Sequence, residues 1–92
     1  MNNKNILPFI ESLLDTTKTT RLFSKDLTQE DLKWHFDDED RIISSKDPTD
    51  WLFQFDNKLP QKINGTIHIK KGEWHRLIKG SGDITLVIER IT

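Results

Sequence analysis

The sequence predicts an all-β domain, a small antiparallel barrel or sandwich preceded by a short helix. Three observations predict it. Apolar and polar residues alternate over 51–56, 66–70 and 84–89, the period-two signature of strands. Turn signals recur at short intervals, at Asp47-Pro48, Asp56-Asn57, Asn64-Gly65, Lys71-Gly72 and Gly80-Ser81-Gly82. Length allows one domain only, because 92 residues bury about 60% of their unfolded surface and leave a thin core.

The elements follow in chain order. Residues 6–15 read ILPFIESLLD, in which Pro8 suits a first helical turn and Ile6, Phe9, Ile10, Leu13 and Leu14 then share one face. This predicts a helical N-terminal arm within 1–25 and a β-barrel over 26–92. Thr28-Gln29-Glu30-Asp31 has the form of a capping box and predicts a single helical turn, with a strand from Leu32 onward. Trp51, Phe53 and Phe55 alternate with Leu52, Gln54 and Asp56; Ile67 and Ile69 flank His68. The last strand carries Ile84, Leu86 and Ile88 on one face and Val87 on the other, as a central strand does. Asn64-Gly65 predicts a tight hairpin, since both residues tolerate positive φ.

Composition narrows the function classes. There is no cysteine, so neither a disulfide nor a thiolate zinc site braces the fold, which fits a cytoplasmic protein. Five Phe and three Trp must fill much of the core. No run approaches the ~20 apolar residues of a membrane helix, and the apolar stretch near the N-terminus is broken by Pro8, Glu11 and Ser12, unlike a secretory signal. Net charge is −1, which gives no global pull toward a nucleic-acid polymer. Acidic residues crowd 26–40, whereas Lys58, Lys62, Lys70, Lys71, Arg76 and Lys79 crowd the later half against Glu73. Such charges either solvate outer strand faces or make a cationic entrance for an anionic ligand.

Candidate site residues come from the strand reading of 32–41. Lys33, His35, Asp37, Glu39 and Arg41 fall on one face there, and Trp34 and Phe36 on the other. His75 lies in a second strand, and Gln54, between two Phe residues, needs hydrogen-bond partners if buried. A barrel would bring His35, Asp37, Gln54 and His75 together, with His35, Gln54 and His75 facing a common interior pocket and Asp37 and Arg41 at its mouth. Asp37 is then a ligand or the ion-pair partner of Arg41, and Arg41 an anion clamp or that partner. A helical alternative would pair His35 with Glu39 at i, i+4, against the IISS strand that follows. His68 reads as a solvent-facing strand residue, and Trp34, Trp51 and Trp74 as packing residues before any stacking platform.

The stretch GTIHIKKGEWHRLIK, residues 65–79, resembles the second conserved motif of cupins, with Gly65, Gly72 and His75 at the glycine and histidine positions. HFDDEDR, residues 35–41, resembles a degenerate first motif in which His35 matches the first histidine, Asp37 stands for the second, and Arg41 stands near the usual glutamate. Lys70 or Lys71 replaces a customary proline, and Lys79 a frequent asparagine. Residues 32–90 are similar to small single-domain cupin-like proteins of tailed bacteriophages and bacteria, sharing WHxDxEDR, WxFQFDN and HRLIKG. The resemblance implies a cupin-type jelly roll and a divalent Fe, Mn, Ni or Zn site at His35, Asp37 and His75. It also implies a homodimer, through residues 6–14 or a neighbouring strand. Arg41 departs from the metal pattern, because a guanidinium repels a cation and attracts an anion.

Two functions are therefore expected. The first is a binding protein that holds a small polar or anionic ligand, such as a nucleotide or sugar phosphate, and could sequester it. His35, Arg41, Gln54, His75 and Lys79 would supply its contacts. The alternative is a metal-dependent isomerase or dioxygenase using His35, Asp37 and His75, with Glu39 as a base. The binding protein is the leading expectation, since the metal ligand set is incomplete.

Overall fold

The computed structural model describes residues 7–91. It contains eight strands: β1 (Ile10–Leu13), β2 (Lys18–Phe23), β3 (Asp40–Ser45), β4 (Leu52–Phe55), β5 (Gln61–Lys62), β6 (Ile67–Ile69), β7 (His75–Ile78) and β8 (Ile84–Ile91). A 3-10 turn, Gln29–Asp31, separates β2 from β3. The strands form a five-stranded sheet in the order β1-β2-β8-β3-β6 and a three-stranded sheet in the order β5-β4-β7. Every pairing is antiparallel. The sheets face each other as an open sandwich, so the expected barrel does not close.

Alternation decides which residues lie between the sheets. Ile84, Leu86 and Ile88 of β8 point inward and are buried, and the strand is central, flanked by β2 and β3. Phe53 and Leu77 point inward from the smaller sheet, and Ile43, Ile67 and Ile69 meet them from the larger one. Trp51 is 1% exposed, and its indole Nε1–H donates to the Gly82 carbonyl at 2.7 Å, so its one polar atom is satisfied. The turn at Thr28–Asp31 closes as expected, with a reciprocal capping box.

The expected N-terminal helix is not formed. Among the described residues, 10–13 are β1 and 18–23 are β2, and both belong to the larger sheet; Ile6 lies outside the described residues. A helix would have satisfied its own backbone but left β2 unpaired at a sheet edge. Thr16, Thr17, Thr19 and Thr20 favour extended backbone. Asp15 fixes the connection by accepting the Thr17 and Lys18 amides. Among the described residues of the apolar stripe only Phe9 packs on the core, 5.3 Å from the Phe23 ring. The helical face expected to meet a second copy is therefore absent, and Ile10 and Leu13 lie exposed along an edge strand.

Two further expectations change. Residues 32–39 are irregular apart from a single bridge at His35, and β3 begins only at Asp40. Asn64-Gly65 makes no hairpin: β5 pairs with β4 and β6 with β3, so the turn carries the chain between sheets. Gly65 has φ 76° but Asn64 does not reach positive φ, and a type I′ turn needs both. No helix among the described residues is long and apolar enough to cross a membrane.

Candidate functional site

The site is built where the irregular segment 32–39 meets the start of β7. His35 and His75 form an isolated antiparallel bridge, each amide donating to the other's carbonyl at 3.0 and 2.9 Å. Residues opposite each other in such a bridge point to the same side, and the rings meet edge to face with centroids 4.3 Å apart. His75 is 4% exposed and stacks on Phe53, whereas His35 is exposed at the rim. Asp37 is buried, and its carbonyl accepts the Gly72 amide at 3.0 Å, which ties it to the β6–β7 turn.

The hydrogen bonds set the tautomers. His35 Nδ1 lies 3.1 Å from the Lys33 carbonyl and His75 Nδ1 lies 2.8 Å from the Glu73 carbonyl. A carbonyl only accepts, so both Nδ1 atoms carry the proton and both Nε2 lone pairs are left for another partner. Burial holds the His75 imidazole below the ordinary histidine value, and the neighbouring His35 and Arg41 push the same way. Asp37 Oδ2 sits 3.5 Å from His75 Nε2, while its Oδ1 takes Arg41 Nη1 at 3.1 Å. Donor atoms of His35, Asp37 and His75 all lie within 4.8 Å of one another.

These groups line one end of a cavity of about 290 Å³ between the sheets. Phe23, Ile43, Phe53, Ile69, Leu86 and Ile88 give it apolar walls. The chain thus has a small, partly open pocket between the sheets with polar groups beside apolar walls, the usual form of a ligand site.

His35, Asp37, Arg41 and His75 are brought together as expected, but Asp37 is buried rather than at the mouth and His35 sits at the exposed rim, and further expectations fail. Gln54 points to the outer face of the small sheet, where it donates to the Lys58 carbonyl and accepts from Arg76 Nε, both at 3.0 Å. Phe53 is inside, so its strand neighbour is outside. Lys79 does not line the cavity; its amide donates to Gln29 Oε1 at 2.8 Å. Glu39 is no free base, since it accepts from Arg41 Nε at 3.0 Å. Of the two expectations for Arg41, the structure has the ion-pair partner: its guanidinium meets Asp37 and also Glu39. Trp34 and Trp74 lie on the outer face rather than in the core, with Arg76 over the Trp34 ring. Sequence reasoning missed Arg21, which lines the cavity from β2. Its signal was the Thr19-Arg21-Phe23 alternation, hidden once the segment was read as part of a helical arm.

Comparison with solved structures now places the fold. A cupin domain from Bordetella pertussis aligns with TM-score 0.64 at 12% identity, over 94% of this chain and 96% of that one. The chain has a cupin-like fold. A Neisseria meningitidis protein gives TM-score 0.61 at 13% identity, over 90% of this chain and 83% of that one. A cupin-2 domain containing protein from Shewanella frigidimarina gives 0.59 at 15%, over 90% and 79%. No protein-family model matches the sequence, and no curated protein does. At such identities the likeness establishes the cupin-like fold alone; the site rests on this chain's own residues.

Proposed function

We propose that this cupin-like protein holds a divalent metal through His35, Asp37 and His75 and admits a small ligand to the cavity beside it. The observation that carries this reading is the paired tautomer: two imidazoles, each pinned at Nδ1, have ligand atoms within 4.8 Å of each other and of the buried Asp37 carboxylate, with His75 Nε2 3.5 Å from Asp37 Oδ2. Pinning the far nitrogen to a carbonyl is how metal-binding histidines are oriented. Two imidazoles and a carboxylate suit Fe, Mn, Ni or Zn and leave positions open. The donor set therefore fits the group that the fold implies.

Arg41 does not defeat this reading. Its charge is offset by Asp37 and Glu39 together, so the cluster is net anionic before a cation arrives. Arg41 also holds Oδ1 of Asp37 and leaves Oδ2 on the histidine side. A bound divalent ion would supply Lewis acidity toward an oxygen of the ligand. The protein would supply the rest: Phe53 packs one face of His75, and the apolar walls keep water from the ligand's body.

The second reading is metal-free capture of an anion, such as a nucleotide or sugar phosphate, by Arg41. Its support is that Arg41 lines the cavity. The apolar walls and the engaged guanidinium favour the metal reading over it. Protein purified without chelator and analysed for metal tests the two. Wild-type protein should bind Mn, Ni or Zn near one equivalent. His75→Ala should lose more affinity than the roughly 10–100-fold that an outer-shell change costs. Metal-free protein that takes up phosphate or a nucleotide in an Arg41-dependent way would replace the metal reading with the second.

A further inference from the structure

The cavity has a second charged end. Arg21 points inward from β2 opposite Leu86 of β8, whereas Arg41 lies opposite Arg90 of the same strand. Four β8 residues separate the two registers (90 − 86), about 13 Å at the ordinary rise of a strand. The walls between are apolar, with Ile43, Phe53 and Ile88 among them. The Arg21 guanidinium lies over the Phe9 ring at 4.2 Å, and its Nε donates to Glu11 Oε1 at 2.6 Å. Among the described residues, no hydrogen bond or ion pair is made by its two terminal nitrogens. The Arg21 side chain is 18% exposed and that of Glu11 39%, so the carboxylate approaches from the solvent side.

We propose that Arg21 anchors the carboxylate of an amphipathic organic acid whose apolar body fills the cavity, and that Glu11 is an internal carboxylate which the ligand displaces. This deepens the ligand-binding reading given above and does not require the metal. A planar guanidinium offers two parallel donors that match a carboxylate, and an aromatic ring beneath it fixes the plane. Glu11 already shows that a carboxylate is accepted at this position. Its place on an edge strand leaves it free to swing toward water when a better-placed acid arrives. At ~30 Å³ per water-sized group the cavity holds roughly ten non-hydrogen atoms. That is the size of a medium-chain or aryl-alkanoic acid.

Calorimetric or NMR titration with octanoate, octan-1-ol and octylamine tests the proposal. Octanoate should bind about tenfold or more tightly than octanol, and octylamine should bind weakest. Arg21→Ala should weaken octanoate by about ten- to a hundredfold, the range for a charge-assisted hydrogen bond, while octanol is little changed. Glu11→Gln should tighten octanoate by about threefold or more, because a neutral amide holds the guanidinium less strongly. If Arg21→Ala does not fold, the Glu11→Gln series and the octanoate–octanol ratio decide. Equal affinity for octanoate and octanol, or no gain in Glu11→Gln, overturns the proposal. Metal uptake by the same samples is a separate readout: octanoate binding by protein that takes up no added Mn, Ni or Zn leaves Arg21 as the anchor and removes the metal site.

Discussion

His35 and His75 are held in the same way from two distant parts of the chain, each donating Nδ1–H to the carbonyl two residues before it, with their ring centroids 4.3 Å apart. The exchange of backbone hydrogen bonds between them fixes the ring separation, and the two local carbonyls fix the tautomers. Neither device depends on a bound ion, so the arrangement is present before any ligand arrives. Preorganisation of this kind reduces the ordering cost of binding.

Burial of His75 predicts a pH-dependent stability. Its folded value lies below the ordinary 6.5, so the unfolded chain binds the proton more readily. Stability is then complete above 6.5 and is lost as pH falls through the folded value. Metal-free protein should melt at a lower temperature near about pH 5.5 than near about pH 7.5, the range in which an ordinary histidine titrates. The difference should shrink in His75→Gln. Asp15 and Asp50 are also held below their ordinary 3.8, so they act in a more acidic window. Equal slopes in wild type and His75→Gln would remove His75 as the cause.

Thr19 predicts a stabilising substitution. It is 1% exposed, and among the described residues its hydroxyl has no hydrogen-bond partner. An unpaired buried hydroxyl is costly, and valine has nearly the same shape. Thr19→Val should stabilise the fold by about 1 kcal/mol, read as a rise of about 4–8 °C in Tm for a domain of this size. A lower Tm would show that the hydroxyl is satisfied in solution.

Gly80 predicts a steric cost with an internal control. A Cβ there would lie 2.5 Å from Trp51 Cδ1 and 2.8 Å from the Trp51 amide nitrogen, whereas one at Gly82 meets nothing within 4 Å. Trp51 cannot yield easily, being 1% exposed and bonded to the Gly82 carbonyl. Gly80→Ala should cost about 1–3 kcal/mol by denaturant unfolding, and Gly82→Ala under about 0.5 kcal/mol.

The legible parts of this fold were those in which one face is uniformly apolar. Over 84–88 and 67–69, alternation alone places Ile84, Leu86, Ile88, Ile67 and Ile69 inside. The same rule, applied at 53–55, puts Gln54 outside; expecting it in the pocket set its polarity above the register. At 34–37 alternation again separates His35 and Asp37 from Trp34 and Phe36, but the apolar residues are the ones turned outward, so apolarity does not tell which face is inside. What decides there is a single bridge to His75, a contact across 40 residues (75 − 35) that no local pattern encodes. At 6–14 the apolar spacing mimics a helix, and only the pairing of β1 with β2 overrides it. Arg21 and Glu11 were lost with that strand, although they face each other in its register.

Arg41 provides the sharpest link between stability and binding. Its guanidinium bridges Asp37 and Glu39 at 3.1 and 3.0 Å, and Asp37 is 8% exposed. Arg41→Ala leaves that carboxylate buried without its cationic partner, a loss of about 3 kcal/mol for a broken buried pair. A divalent ion would take over the missing positive charge and would no longer face a competing cation. Metal-free Arg41→Ala should therefore be clearly less stable than wild type, and saturating Mn or Zn should restore more stability to the variant than to wild type. Ligand at about a hundred times its Kd contributes about 2.7 kcal/mol, so the restoration should be nearly complete. Arg41→Lys should fall between, since one ammonium cannot span both carboxylates as the planar fork does. Thermal melts of the three proteins with and without metal measure all of this. A variant that is destabilised but gains nothing from metal would mean that Asp37 serves Arg41 alone, and the histidines would then be left without the carboxylate that completes their ligand set.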